Sequence, residues 1–274
     1  MCEIPLDYVD TPHSEGAKSW SIARRLRPAQ GQGINKSGLV WLGGFASDMS
    51  GLKAQFVDEW AKKNGQAFLR FDYSGHGASK GKFIDGSISD WLEQSLFLFH
   101  QSTQGPQILI GSSMGAWIAL LMARRLALVE NPKRLAGLIL LAPAVDFTEC
   151  LIWSQLDSAS QRTIIDQGQW LRPSAYAPEP TPITRLLIED GRRHLLLGNV
   201  IKTHAPVHII HGLRDTDVPW RHVLNLLEHI CADPVTLSCI PDGDHRLSRP
   251  EDLSQLGAAL DQMNASVERT AIEE

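Results

Sequence analysis

The feature that most constrains the fold is an alternation of short apolar segments with longer amphipathic ones. Apolar runs of strand length lie at Leu39–Leu42, Ala67–Phe71, Ile108–Ile110, Leu138–Ala142, Val207–Ile210 and Val235–Ile240. Helical spacing of apolar residues marks Leu52–Lys62, Ile88–Phe99, Ala116–Val129, His222–Ile230 and Leu253–Met263. Apolar strands that alternate with helices are typical of a mostly parallel sheet with helices on both faces. The pattern of Trp20–Leu26 further predicts an early antiparallel strand at the sheet edge.

One stretch interrupts this alternation between the fourth and fifth core strands. It is far longer than the few residues that connect a strand to a helix, and it contains Trp153 and Trp170. Its best predicted helix is Ile183–Leu197. We therefore predict a core of residues 1–145 and 204–274, with residues 146–203 inserted as a helical lid. The alternative is a surface excursion, which would leave the two tryptophans without a place to be buried.

The segment Gly111-Ser112-Ser113-Met114-Gly115 fits the pattern G-x-S-x-G between a predicted strand and a predicted helix. That context is the one a nucleophile elbow requires, in which a sharp turn exposes the serine hydroxyl above the sheet. Small residues on either side let the strand and the helix approach the turn. Ser113 is the predicted nucleophile, and a tight turn without chemistry is the alternative interpretation.

A serine nucleophile needs a general base and a carboxylate that orients the base. With this elbow the chain order is serine, acid, histidine, and the histidine follows the last strand. His245 has that position. The acid should follow the preceding strand, where Asp215 is favoured, while Asp217 and Asp146 remain alternatives.

Acyl transfer also needs donors for the oxyanion that develops on the substrate. One should be the backbone N–H of Met114, the residue after the nucleophile. The second should lie in the loop after the first core strand, where the sequence reads Gly43-Gly44-Phe45 and the Phe45 N–H is the predicted donor.

Composition excludes several other classes. The net charge is −5 and the isoelectric point about 6.1, whereas nucleic-acid binders usually carry a basic excess. No apolar run reaches the ~20 residues of a membrane span. Residues 1–10 carry three acids and no base, unlike a secretory signal or a transit peptide. No cluster has metal-ligand spacing, so we expect no metal. We likewise expect no cofactor, no nucleic-acid partner and a cytoplasmic location.

Five segments in this order resemble the α/β-hydrolase superfamily over essentially the whole chain: WLGGF, FDYSGHGAS, GSSMG, HGLRDTDVP and GDH. Within it, the chain is similar to the mitochondrial palmitoyl (acyl-protein) thioesterases and acyl-glucuronide esterases. The stretches that carry this similarity are Trp41–Gly51, Phe71–Lys80, Trp170–Pro173 and Ile188–His194. The resemblance implies an α/β-hydrolase fold with the triad on Ser113, Asp215 and His245, in a bacterial relative. Gly43 stands where most relatives have histidine.

The predicted function is hydrolysis of a small-molecule carboxylic ester or acyl thioester through an acyl-enzyme. Trp153, Trp170 and Arg172 are the candidate substrate-binding residues of the lid, and Leu151 and Ile152 could line the same apolar pocket. The alternative is that the apolar residues only pack the lid on the core. Two rival interpretations use the same fold. One is a non-catalytic ligand receptor, and the other is a lyase or haloperoxidase with the same three side chains.

Overall fold

The computed structural model describes residues 4–11, 19–129, 132–173, 179–230 and 232–273. Its strands, in chain order, are β1 (Asp7–Asp10), β2 (Ser21–Arg27), β3 (Gly38–Leu42), β4 (Phe68–Phe71), β5 (Gln107–Ser112), β6 (Leu135–Leu141), β7 (Gln169–Arg172), β8 (Thr181–Thr184), β9 (Val207–Gly212) and β10 (Val235–Ile240). Eight of them form one sheet in the order β1-β2-β4-β3-β5-β6-β9-β10, while β7 and β8 form a separate antiparallel pair. All six predicted core strands lie in the large sheet.

The α-helices are α1 (Leu52–Asn64), α2 (Ile88–Ser102), α3 (Met114–Val129), α4 (Ser158–Gln167), α5 (Arg185–Gly191), α6 (Trp220–His229) and α7 (Pro250–Glu273). The last helix starts three residues before the predicted Leu253 and extends well past Met263. Proline suits the first turn of a helix because its missing N–H would have no partner there. No helix in the described ranges combines the length and apolar character needed to cross a bilayer.

Alternate residues of the central strands face opposite layers of the core, as the period of two in a strand requires. In β3, Leu39 and Trp41 belong to the cluster covered by α1 and α7, whereas Val40 and Leu42 belong to the cluster covered by α2, α3 and α6. Both faces of the sheet are therefore buried at its centre, which explains why the central strands β3, β5 and β6 are largely apolar. The fold is the predicted mostly parallel sheet with helices on both faces.

The early strand β2 pairs antiparallel with β4, as predicted. It is not the edge strand, however, because β1 pairs antiparallel with its outer side. The polar sequence of β1, DYVD, buries only Val9. Such a short and mostly polar segment gives little sign of a strand before its partner is known.

Within residues 146–203, the predicted helix Ile183–Leu197 is wrong at both ends. Ile183 belongs to β8, where it pairs with Trp170 of β7. The helix α5 starts only after Thr184, whose hydroxyl accepts the N–H of Leu187 and caps the helix. A 3₁₀ turn at Arg192–His194 follows, and the chain then leaves helical geometry. The bounds of the lid stay a prediction.

The parallel strands all end at the same edge of the sheet. There the connections after β3, β4, β5, β6, β9 and β10 lie side by side, since Leu42 pairs with Gly111 and Gly212 pairs with Ile240. The carboxyl ends of strands in open α/β sheets are where ligands bind. This edge brings the predicted site residues together from distant parts of the chain.

Candidate active site

Ser113 sits in a sharp turn between β5 and α3. Its φ is +55°, a left-handed conformation that is strained for a residue with a side chain. A Cβ on Gly115 would lie 2.0 Å from the carbonyl oxygen of Leu42, and one on Gly111 would lie 2.5 Å from the carbonyl oxygen of Gly115. The two glycines therefore let α3 press against the sheet, and the turn presents the Ser113 side chain at the sheet edge.

The imidazole of His245 lies between Ser113 and Asp215. The Ser113 hydroxyl is 3.1 Å from Nε2 of His245, and Nδ1 of His245 is 2.7 Å from Oδ2 of Asp215. The Asp215 side chain is fully buried, whereas 18% of the His245 side chain is exposed. The acceptor-only carboxylate requires the proton on Nδ1, which leaves the Nε2 lone pair for the serine hydroxyl. This arrangement can transfer the serine proton to the imidazole.

Asp215 is held in place through its second oxygen. Oδ1 accepts the backbone N–H groups of Asp217 and Val218, at 2.9 and 2.8 Å. The carboxylate thus has three donors and no remaining freedom to rotate away from His245.

The two alternative acids have other partners. Asp217 accepts a hydrogen bond from Arg172 at 3.2 Å. Asp146 is buried and accepts the N–H groups of Leu196 and Leu197. Burial raises the pKa of the Asp146 carboxyl to about 6 despite these donors. Of the three candidates, Asp215 is the one hydrogen-bonded to the His245 ring.

Potential metal ligands in the described residues converge at one place. Asp215, Asp217 and His245 offer ligand atoms that lie within 4.8 Å of one another. These residues also have partners within the protein, because Asp215 bonds His245 and Asp217 bonds Arg172. An ion at this place would compete with those contacts.

The two predicted oxyanion donors border the same cavity as Ser113 and His245. Neither the Phe45 N–H nor the Met114 N–H donates a hydrogen bond to another described residue. The turn that carries Phe45 lies against the elbow, since a Cβ on Gly44 would be 3.5 Å from the Cβ of Ser113. The role of these two N–H groups as oxyanion donors stays a prediction.

The cavity at Ser113 has a volume of about 320 Å³. One part of its wall is apolar and the rest is polar or backbone. Its lining consists of Phe45, Ala46, Ser113, Met114, Ala144, Phe147, Leu151, Ile152, Arg172, Pro173, Thr181, Asp217, Val218 and His245. An apolar pocket with a few convergent polar groups is the usual form of a small-molecule site.

Of the three predicted substrate-binding residues, only Arg172 lines this cavity. Trp153 packs on the core and lies under Arg192, whose guanidinium carbon is 4.7 Å from the ring centre. Trp170 packs on the core from β7. The two tryptophans are candidates because they are large and apolar, but their contacts fix the inserted segment to the core.

Sequence reasoning missed Phe147 as a cavity residue. Its ring lies 5.4 Å from that of Phe45 and 5.7 Å from that of Trp117. The signal available was position, because Phe147 follows β6 at the same sheet edge as the other site residues.

Comparisons with known proteins agree with this architecture. A family model described as serine aminopeptidase, S33, matches residues 35–179. The mouse protein named mitochondrial palmitoyl-protein thioesterase ABHD10 is 33% identical over 227 residues, which are 82% of this chain and 74% of that protein. The structure of mouse α/β hydrolase domain-containing protein 10 covers 96% of this chain and 99% of its own, with 29% identity and a TM-score of 0.82.

A bacterial structure is also similar. A protein of Agrobacterium vitis S4 described as a hydrolase shares 43% identity, with a TM-score of 0.89 over 95% of this chain and 99% of its own. The resemblance to the thioesterase group and the predicted α/β-hydrolase fold are thereby confirmed, while the lid stays a prediction. The chain belongs to the serine aminopeptidase S33 family of α/β hydrolases.

Proposed function

We propose that this protein hydrolyses carboxylic esters or thioesters through an acyl-enzyme formed on Ser113. The observation that carries the proposal is the imidazole of His245, which is hydrogen-bonded to Ser113 on one side and to buried Asp215 on the other. A cavity of about 320 Å³ opens on this serine and offers space for an acyl group. The named activity of the mouse relative supports the same reaction class.

In the first half of the reaction, the Ser113 oxygen attacks the acyl carbon and His245 Nε2 takes the serine proton. Asp215 keeps the imidazole in the required tautomer and stabilises the imidazolium that forms. The N–H groups of Phe45 and Met114 bind the oxygen of the tetrahedral intermediate. His245 then gives its proton to the departing alcohol or thiol, and the bond from the acyl carbon to that group breaks.

In the second half, His245 takes a proton from water as the water oxygen attacks the acyl-enzyme. The same two N–H groups stabilise the second oxyanion. When this intermediate collapses, the proton returns to the Ser113 oxygen and the carboxylic acid leaves. Three side chains and two backbone groups suffice, and no step needs a cofactor.

The cavity wall indicates how a substrate would lie. Phe147, Leu151 and Ile152 form an apolar surface suited to an acyl chain or an aromatic acid. Arg172, Thr181 and Asp217 form a polar side on which the leaving group would rest. The Arg172 guanidinium is balanced by Asp217, so it gives no strong preference for an anionic substrate.

A cytoplasmic location stays a prediction. The ABHD10 relatives are named as mitochondrial proteins. Fractionation of the source cells followed by detection of the protein with an antibody would decide the matter.

The test combines substrate profiling with a serine probe. We expect turnover of p-nitrophenyl esters or acyl-CoA thioesters of graded chain length, and covalent labelling by a fluorophosphonate. Ser113→Ala should abolish both the turnover and the covalent labelling. The matched control is Ser112→Ala, one residue earlier and buried in β5, which should retain them.

Two results would contradict the proposal. Retained wild-type turnover in Ser113→Ala would remove the nucleophile. A folded wild-type protein that neither reacts with the probe nor turns over any ester or thioester would instead favour a binding function.

A further inference from the structure

The loop of residues 43–49, between β3 and α1, carries the proposed oxyanion donor and has no regular secondary structure. Within it, Ala46 has a φ of +55°, which is unfavourable for alanine. A strained backbone of this kind persists only where surrounding contacts hold it. The contacts of this loop therefore decide where the Phe45 N–H points.

One contact comes from His76, in the connection that follows β4. The backbone N–H of Ala46 donates to Nε2 of His76 at 3.2 Å. On the other side of the ring, Nδ1 is 3.3 Å from the carbonyl oxygen of Ser74. A carbonyl can only accept, so Nδ1 carries the hydrogen and Nε2 has the free lone pair. The ring is thus fixed in the tautomer that accepts the Ala46 N–H.

The surroundings of His76 keep its ring neutral and in one orientation. Burial lowers the pKa of the His76 imidazole to about 4, so the Nε2 lone pair is present at neutral pH. The ring packs against Phe83 and Trp91, with centroids 5.0 and 5.1 Å away. Those two aromatic rings also contact the ring of Phe45, at 4.9 and 6.0 Å.

The geometry of the peptide unit connects His76 to the oxyanion donor. Two peptide planes meet at the Cα of Phe45. The earlier plane contains the Gly44 carbonyl and the Phe45 N–H, and the second plane contains the Phe45 carbonyl and the Ala46 N–H. The carbonyl oxygen of that earlier plane, on Gly44, accepts the Ser47 hydroxyl at 2.9 Å and the Ser47 N–H at 3.3 Å. Because a trans peptide is planar, with its C=O and N–H pointing in opposite directions, this bond turns the Phe45 N–H away from Ser47. His76 holds the second plane, so both dihedral angles of Phe45 are fixed.

We propose that His76 is a positioning residue of the oxyanion hole, which aims the Phe45 N–H by holding the Ala46 amide. The inference rests on the proposed acyl transfer at Ser113. His76 does not line the cavity, so it acts on the transition state through the loop and not by contact with substrate. Preorganised donors of this type stabilise charge that develops only in the transition state.

Two substitutions separate this role from simple packing. His76→Phe keeps an aromatic ring against Phe83 and Trp91 but removes the acceptor. His76→Gln loses the ring but places a side-chain oxygen where Nε2 was. If the acceptor matters, the Phe variant is the more impaired in catalysis; if only packing matters, the Gln variant is.

The matched control is His208, which is also buried and whose Nε2 lies 2.9 Å from the Ser238 hydroxyl. It lies near the start of β9, at the opposite end of the strand from the site. His208→Phe and His208→Gln should leave kcat within about twofold of the wild type, whatever their effect on Tm.

The experiment measures kcat and KM for p-nitrophenyl butyrate, Tm, and the Ki of an alkyl trifluoromethyl ketone, which forms a tetrahedral oxyanion. For His76→Phe we expect kcat to fall by about 10- to 100-fold, less than the roughly 10²- to 10³-fold that follows outright loss of an oxyanion donor. KM should change little and Ki should rise in parallel with the fall in kcat, because the lost interaction belongs to the transition state. His76→Gln should recover most of kcat and Ki.

Wild-type kcat and Ki in His76→Phe would overturn the proposal, as would a larger catalytic loss in His76→Gln than in His76→Phe. Should His76→Phe fail to fold, ¹⁵N NMR of the wild-type His76 ring replaces it. An unprotonated Nε2 coupled to the Ala46 amide supports the proposal, and a protonated Nε2 overturns it. Ser113→Ala in the same assay tests the acyl transfer itself, so the two ideas can fail separately.

Discussion

Asp215→Asn offers the sharpest test of the proposed triad, because the structure fixes how the new amide must turn. In the wild type, Oδ1 of Asp215 accepts two backbone N–H groups, from Asp217 and Val218, and Oδ2 faces Nδ1 of His245. An amide with its oxygen toward His245 would put its NH₂ against those two donors. Leaving buried donors unsatisfied costs about 1–3 kcal/mol each. The asparagine oxygen will therefore stay at the Oδ1 position.

The consequence falls on the histidine tautomer. With the NH₂ group facing Nδ1 of His245, that nitrogen must accept, and the ring proton moves to Nε2. An imidazole with a proton on Nε2 cannot take the proton of Ser113. Loss of the correct tautomer in a serine–histidine–aspartate triad lowers kcat by about 10⁴-fold, which corresponds to about 5.5 kcal/mol of transition-state stabilisation. Volume and packing hardly change, so the protein should remain folded.

The assay is kcat for p-nitrophenyl butyrate, with circular dichroism to confirm folding. Asp217→Asn is the matched control, since it changes a neighbouring carboxylate that bonds Arg172; we expect kcat within about tenfold of the wild type. Asp146→Asn should be similar. The reasoning is refuted if Asp215→Asn stays within tenfold while either of the other two variants loses activity by several orders of magnitude.

Three further predictions concern the elbow, the inserted segment and the cavity. Gly115→Ala should lower both Tm and kcat, because the new Cβ would lie 2.0 Å from the Leu42 carbonyl oxygen. The control is Gly43→Ala, whose Cβ would have no neighbour nearer than 3.5 Å, and it should resemble the wild type in thermal melts and turnover. The pKa of Asp146 is raised to about 6, against an ordinary ~3.9, so the unfolded chain loses this proton at lower pH than the folded protein does. In urea titrations, the unfolding free energy of the wild type relative to that of Asp146→Asn should therefore fall from pH 4 to pH 6 and stay level above pH 6. A rise over that range would contradict the raised pKa. Leu151→Trp should fill part of the apolar wall and raise KM for octanoyl esters more than for acetyl esters, and an equal change for both would exclude Leu151 from the acyl pocket.

Much of the fold could be predicted because local pattern and global topology agree in the core. The central parallel strands are largely apolar on both faces, so a strand such as Ile108–Ile110 can be predicted without knowledge of its neighbours. The candidate site could also be predicted from the sequence. The strand ends of a parallel sheet meet at one edge, and Ser113, Asp215 and His245 follow β5, β9 and β10 in the expected chain order. The structure brings these three side chains together, and the variants described above test their roles.

The inserted segment was harder to predict because long-range contacts decide its local structure. Apolar spacing over Ile183–Leu197 fits a helix, yet Ile183 is drawn into a strand by Trp170. At the other end, the N–H groups of Leu196 and Leu197 bond Asp146, 50 and 51 residues earlier. The partner of Trp153 is likewise Arg192, far along the chain. Propensity cannot anticipate such contacts, and the sequence therefore does not separate Leu151 and Ile152, which line the cavity, from Trp153 and Trp170, which pack on the core.

The aromatic contacts of Phe45 link substrate binding to oxyanion stabilisation. Phe45 supplies the proposed donor through its backbone, while its ring lies against Phe147, which lines the cavity. An acyl chain that fills the space beside Phe147 should press these rings together and steady the donor N–H. Binding energy from a part of the substrate remote from the reacting carbon then appears in kcat and not only in KM. We expect kcat for acylation to rise from acetyl to butyryl esters, and this dependence on chain length to weaken in Phe147→Ala. A wild-type kcat that does not depend on chain length, while only KM changes, would show that the rings of Phe45 and Phe147 do not influence the oxyanion hole.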